Sequence, residues 1–341
     1  YWNRYRYEEP FAVAAYASFL GFDLLLRHGS VVHFEHGDRI FPWIMHHDPI
    51  TRASQTAAAL LYARGDVREA EKEISLMVSE KEVREKGLWN NHFASSPQTK
   101  LALMVKYGLE LSRPGRKASG VFGIPADGGG LGVDNTEGFS YAVEPSAGGT
   151  ELGALIRRLK QEKLLTKDNR SDGIYRFENA TRELYLDAAR NFMTVNTPRF
   201  QGVAGEEKAK AVLRDVTLEL RKNRGAVSVA SLQKEKGIRE ANRLLVIYAT
   251  NALCSKMTFE DPSMIHVLSY GENPVLIETG TVFLTLRNSH ADKLKVYPLQ
   301  INGRRGRPLE TVTCKDGILQ LTIDTHQLPE GPALFFELGE Q

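Results

Sequence analysis

Five of the nine histidines fall between positions 28 and 47: His28, His33, His36, His46 and His47, with Glu35 and Asp38 among them. Imidazoles beside carboxylates can bond the hydroxyls of a ligand, hold a metal ion, or bond their own neighbours. Trp43 lies in the same stretch, and Trp2, Arg4, Tyr5 and Glu8 open the chain. A sugar site needs an aromatic platform under the apolar ring face and planar or charged groups around the hydroxyls. Trp2, Arg4, Tyr5, Glu8, His28, His33, Glu35 and Trp43 supply those types and are the candidate substrate-binding residues. The metal alternative rests on His33-Phe34-Glu35-His36 and on His46-His47-Asp48. That spacing fits neither an HExxH helix nor a Cys/His structural pattern. No Gly-x-Ser-x-Gly elbow offers a serine nucleophile. Glu8 and Glu9 immediately precede Pro10, where charge at a helix N-terminus explains an acid without catalysis.

The elements around these residues set their geometry. Pro10–Leu20 reads as a helix with Pro in its first turn and Gly21 closing it. Asp23–Arg27 reads as a short buried strand, and Thr51–Arg64 as a second helix ended by Gly65. A loop–helix–strand–loop–helix order is the repeat of an α/β barrel, whose chemistry sits on the loops after the strands. If Leu24–Arg27 is a barrel strand, the histidine loop lies on the catalytic rim.

Beyond residue 67 the texture changes. Residues 68–86 alternate in charge and suggest a solvated helix, and Pro97–Ser112 carries Leu101, Val105 and Leu109 four apart as on one helix face. The glycine-rich run 120–149 lacks a Lys-Ser/Thr after its glycines, so it reads as a surface connection rather than a phosphate loop. From Tyr175 the text is β, with candidate strands at 183–187, 192–195, 216–221, 226–232, 244–253, 264–269, 282–287, 294–301, 319–323 and 333–338. Lys315-Asp316-Gly317 is a hairpin signal. The expected fold class is therefore α/β plus all-β: the closing part of a (β/α)8 barrel (residues 1–67), a mixed connection (68–172) and a C-terminal antiparallel β-sandwich (173–341).

Composition bounds the partners. Forty-four basic and 42 acidic residues leave a net charge of +2, and the one dense basic run, Arg304-Arg305-Gly306-Arg307, is short for a phosphate track. No apolar run reaches the roughly 18 residues a membrane span needs. Neither nucleic acid nor membrane is expected as a partner, and no cofactor. Arg199, Arg304 and Arg305 read as salt-bridge and loop residues. Cys254 and Cys314 read as two buried thiols rather than a disulfide.

The succession Asn3-Arg4-Tyr5-Arg6-Tyr7-Glu8-Glu9-Pro10-Phe11, Ala14-Ala15-Tyr16 and Gly21-Phe22-Asp23 resembles the seventh-to-eighth barrel segment of large bacterial glycoside hydrolases, relatives of the β-galactosidase, agarase and cellulase superfamily. Asp48-Pro49 through Gly65-Asp66-Val67 resembles their barrel-closing helix. Asn191 to Gly202 and residues 294–338 look like the start and the last strands of their C-terminal β-domain. The resemblance implies retaining cleavage of β-glycosidic bonds in an oligo- or polysaccharide, by two glutamates about 5 Å apart. Both would lie upstream of Tyr1, in a preceding barrel segment of the same polypeptide, and a secreted or periplasmic location would follow. Two other readings stand beside it: a non-catalytic carbohydrate-binding or scaffolding module, and a metal-dependent hydrolase built on the His28–His47 cluster.

Overall fold

The computed structural model describes residues 3–26, 40, 47–80, 84, 97–112, 117–125, 145–310 and 312–340. Strand outweighs helix, 37% against 18%, so the fold is mostly β. The chain divides into two compact units: Tyr1–Ala15, Leu24–Val67 and Arg190–Gln341 form one, Tyr16–Asp23 and Arg68–Ala189 the other.

Prolines start the two N-terminal helices. Pro10 opens a π-helical turn, Pro10–Ala14, that continues as an α-helix over Ala15–Leu20 and stops at Gly21, φ +71°. Asp48 caps the second helix by accepting the Ile50 amide at 3.0 Å, and Pro49 fills the first position, where a missing N–H costs nothing. Pro49–Ala58 passes into a second π-helical turn, Ala59–Ala63, and Gly65 ends it at φ +72°. Both expected helices are present. The strand expected at 23–27 is absent from the described residues 23–26: Leu24–Leu26 have no regular secondary structure, and Leu24 and Leu26 are exposed. Three successive leucines without an alternating partner strand had supplied apolar text without a pairing edge.

Two antiparallel sheets complete this unit. In the first, strands neighbour one another in the order Lys295–Leu299, Phe335–Gly339, Arg243–Ala249, Gly225–Ser231, Phe200–Gly205 and Phe192–Asn196. In the second the order is Val312–Lys315, Ile318–Asp324, Thr281–Arg287, Val216–Lys222 and Lys210–Val212. The second sheet alternates: Val216, Leu218 and Leu220, then Val282, Leu284 and Leu286, then Leu319, Leu321 and Ile323 are buried, and the residues between them are not. One apolar face per strand is what a sandwich requires. The first sheet buries both faces, as every residue of Gly225–Ser231 is buried. Its second cover is helical, for Phe11 packs edge-on against Phe200 with ring centroids 6.1 Å apart. The Lys315–Ile318 hairpin closes through Asp316 and Gly317, both at positive φ, as a two-residue primed turn needs.

An excursion leaves the first sheet after Ala249. It pairs Ala252–Ser255 with Glu272–Ile277 and Thr258–Phe259 with Val267–Ser269; the strand expected at 264–269 is confined to its last three residues. Cys254 and Cys314 are both free; Cys254 is buried, but Cys314 is exposed because it lies on the outer edge strand.

The second unit holds a parallel three-stranded sheet in the order Lys106–Ser112, Glu73–Ser79, Gly123–Pro125, with a helix over Pro145–Gln161 and a hairpin of Arg176–Glu178 with Leu184–Asp187. Ile74, Leu76, Leu101, Val105, Leu155 and Leu159 are among its core. Two expectations are corrected here. Within the solvated helix expected over 68–86, residues 73–79 form the Glu73–Ser79 strand instead, since Ile74 and Leu76 point to one core at period two, whereas Glu80 and Arg84 are helical. The helix over 97–112 is a 3-10 turn, Pro97–Leu103, followed by a strand, and Leu109 stands 62% exposed rather than in line with Leu101 and Val105. Most of the glycine-rich run lies outside the described residues, but its ends are structured as the short strand Gly123–Pro125 and the helix from Pro145.

Candidate functional site

The N-terminal turn brings three of the expected residues together. Asn3 Oδ1 accepts the Tyr5 amide at 2.8 Å, and Arg6–Glu8 then form a single 3-10 turn. Tyr7 is the buried residue of that turn: it is 1% exposed, and its hydroxyl donates to the Gly205 carbonyl at 3.4 Å. With Tyr7 anchored in the core, Tyr5 and Glu8 are held on either side of it.

The Arg4 guanidinium lies 5.1 Å over the Tyr5 ring, and Tyr5 meets Tyr7 edge-on at 6.5 Å. Asn191 Nδ2 reaches both the Tyr5 hydroxyl and Glu206 Oε1, each at 3.4 Å. Arg4, Tyr5, Glu8, Asn191 and Glu206 thus make a neighbourhood of aromatic, amide, guanidinium and carboxyl groups, all within the first unit.

Glu8 is the chemically distinctive member. Its Oε1 is buried without a hydrogen-bond partner among the described residues. Burial pushes the carboxyl up to about 7, and the nearby charge of Glu206 adds to the shift. Glu8 ends the 3-10 turn that leads through Glu9 into the Pro10 helix, and it is partly buried. A carboxyl titrating near neutrality can donate a hydrogen bond or a proton in one state and accept in the other. The Tyr7 phenol is raised well above its usual range by burial first and by Glu8 and Glu206 next, so it stays protonated.

The other candidates divide differently. Trp2, His28, His33, Glu35 and Trp43, with His36 and His46, lie outside the described residues. His47 precedes the Asp48 cap, and among the described residues no group of His, Cys, Asp and Glu is arranged to hold a metal. Arg199 and Arg305 are structural: Arg199 pairs with the buried Asp66 at 2.8 Å, and Arg305 with Glu337 at 3.0 Å. A cavity of about 240 Å³ opens beside Glu9 and Pro10 and is walled by Val13, Ala14, Ala58 and Tyr62; its mainly apolar lining suits packing more than hydroxyl recognition. Asn191, Glu206 and Arg224, whose charge also reaches Tyr7, are new members of the neighbourhood, because only the fold brings them to the turn.

No protein-family model, curated protein or solved structure matches the chain. Among the described residues no helix is long and apolar enough to cross a membrane.

Proposed function

We propose that this chain is part of a carbohydrate-active hydrolase that cleaves β-glycosidic bonds with retention, and that its N-terminal turn forms one wall of the sugar site. The observation that carries the reading is the grouping at one turn of the Arg4 guanidinium over the Tyr5 ring with the partly buried Glu8 carboxyl, which burial and Glu206 raise to about 7. In this role Tyr5 lies under the apolar face of a sugar ring, Arg4 donates to hydroxyls, and protonated Glu8 donates a hydrogen bond to a ring substituent. The two catalytic glutamates are assigned, by the resemblance of residues 3–23 and 48–67, to barrel strands outside this chain. The helical segments Pro10–Leu20 and Pro49–Ala63 would belong to that barrel's outer ring.

The test starts with the reading frame upstream of Tyr1 and the activity of the complete polypeptide on aryl β-hexosides. A strand ending in glutamate just before Tyr1, with Asn-Glu on an earlier strand, and product of retained configuration by NMR are expected. Tyr5→Ala and Arg4→Ala should each raise KM about tenfold, the loss of about 1.4 kcal/mol of binding, with little change in kcat. An unrelated domain or a stop codon upstream, or no hydrolysis of any β-hexoside, overturns the reading.

The binding or scaffolding alternative has one observation in its favour, the two antiparallel sheets to which Arg190–Gln341 contributes eleven strands. Retention of the chain on an insoluble polysaccharide without hydrolysis by the full polypeptide would select it. The metal-dependent alternative draws no support from the described residues.

A further inference from the structure

Arg6 stands between Tyr5 and Glu8, two of the three residues that the sugar-site reading uses, and its partners lie elsewhere in the unit. Its side chain is only 8% exposed, and each of its three nitrogens donates to an acceptor. Nη1 forms an ion pair with Asp48, whose carboxylate is fully buried. Nε donates to Asn251 Oδ1 at 3.0 Å, and Nη2 donates to the Ala252 carbonyl at 2.7 Å. Asp48 is itself committed: Oδ1 caps the second helix through the Ile50 amide, and Oδ2 accepts from Thr51 Oγ1 at 2.7 Å.

Asn251 and Ala252 are the root of the excursion that leaves the first sheet. The excursion returns to the same turn at its far end, where the Arg4 amide donates to the Ser263 carbonyl at 3.1 Å. Asn251 Nδ2 also reaches Met264 Sδ at 3.5 Å, beside a backbone at φ +63°. The N-terminal turn is thus tied to the excursion at root and tip, and Arg6 makes the root tie. Beyond the tip, Ile265 and Leu268 stand 61% and 69% exposed. Apolar side chains held outward next to a polar aromatic turn can cover the apolar edges of a sugar chain beyond its first ring.

We propose that Arg6 is a positioning residue: it fixes the Tyr5–Glu8 turn and the root of the Asn251–Ile277 excursion in one arrangement, so that sheet-borne residues near Ser263 extend the sugar-binding wall. The role rests on the reading that this turn contacts sugar. Arginine is required by geometry, because three acceptors on two segments, Asp48 and Asn251-Ala252, must be met at once by one planar group. Lysine brings a single ammonium that cannot span them. Loss of Arg6 leaves the turn tied by Tyr7 and by the Arg4 amide, and Glu8 regains water.

The test uses the whole chain with Arg6→Gln, Arg6→Lys and a control, Arg64→Gln, which breaks the Arg64–Asp66 ion pair in the same unit. Glu8 is followed by carbon NMR of labelled glutamate, assigned by its absence in Glu8→Gln, and the amides of 263–268 by hydrogen exchange. Both Arg6 variants should move the Glu8 midpoint from about 7 toward the ordinary 4.5 and speed exchange at 263–268 about tenfold. Arg64→Gln should lower the melting temperature and leave both readouts in place. If Arg6→Gln does not fold, Arg6→Lys decides alone. An unmoved Glu8 midpoint in the Arg6 variants, or an equal shift in Arg64→Gln, overturns the positioning role. Retention on cellulose and on agarose, measured in parallel, separates the two claims. A chain that binds neither but shows the Glu8 shift loses the sugar reading while the Arg6 tie stands.

Discussion

Glu8 holds its proton more tightly in the folded chain than in the unfolded one, because burial and then Glu206 penalise its charge. Between about 4.5 and about 7 the native state therefore carries more protons than the unfolded state, and stability falls as pH rises through that window. Above it the loss is complete, and below it Glu8 contributes no slope. Glu8→Gln keeps the shape and removes the charge. The variant should match the parent below pH 4 and exceed it by about 1–2 kcal/mol at pH 8, a figure reduced because solvent still reaches the carboxyl. Urea unfolding of both proteins across the window measures this, and parallel curves would sink the assignment. Asp172 supplies a slope of opposite sign in the other unit. Burial would raise it, but the Arg176 guanidinium and the amides of Arg176, Ile174 and Tyr175 bring it to about 2. Its contribution is lost only as pH falls toward that value, well clear of the Glu8 window.

At the scale of elements, the alternating strands of the second sheet were legible because β-branched and leucine residues recur at period two between turn residues. Asp316-Gly317 announced its hairpin by chemistry alone. Glu73–Ser79 was hidden by its neighbours: charged residues on both sides swamp a short apolar alternation, and parallel pairing with Lys106–Ser112 leaves no adjacent turn to signal it. In the site, Arg4, Tyr5 and Glu8 could be read from residue type, whereas Glu206 and Asn191 are ordinary turn text until the first sheet places them. Phe200–Gly205 was missed for a more informative reason. Its glycines weaken the strand signal, and Gly202 is required by packing: a Cβ there would meet Ser228 Cβ at 2.7 Å and Phe11 Cζ at 2.8 Å. The strand gives up propensity so that the N-terminal helix can lie against the sheet. Gly202→Ala should cost about 1–3 kcal/mol by forcing those neighbours apart, read as a lowered urea midpoint with an unchanged slope. A neutral result would mean that Phe11 does not pack as closely as 6.1 Å from Phe200 implies.

The same contact decides how independent the β-sandwich is within its unit. The first sheet buries both faces, one against the second sheet and one beneath Tyr7, Phe11 and the helix that begins at Pro49. The helical cover is also fastened by charge, since buried Asp66 pairs with Arg199 at 2.8 Å and the Arg64 guanidinium donates to the Ser231 carbonyl at 2.6 Å. Residues 190–341 alone would retain the second sheet's core but expose Phe200 and the neighbouring strand face to water, and would leave Arg199 without its acid. Burial of an aromatic side chain contributes about 1.5–3 kcal/mol, so losing the whole cover removes a large part of a domain's usual 5–15 kcal/mol. The fragment 190–341 is therefore expected to be poorly packed, with bound hydrophobic dye, weak near-ultraviolet dichroism and a broad thermal transition, while the complete chain unfolds sharply. A fragment that unfolds cooperatively without binding dye would show that the sandwich stands alone. It would then favour the separate binding-module reading over one in which the N-terminal turn and the sheet act as a single piece.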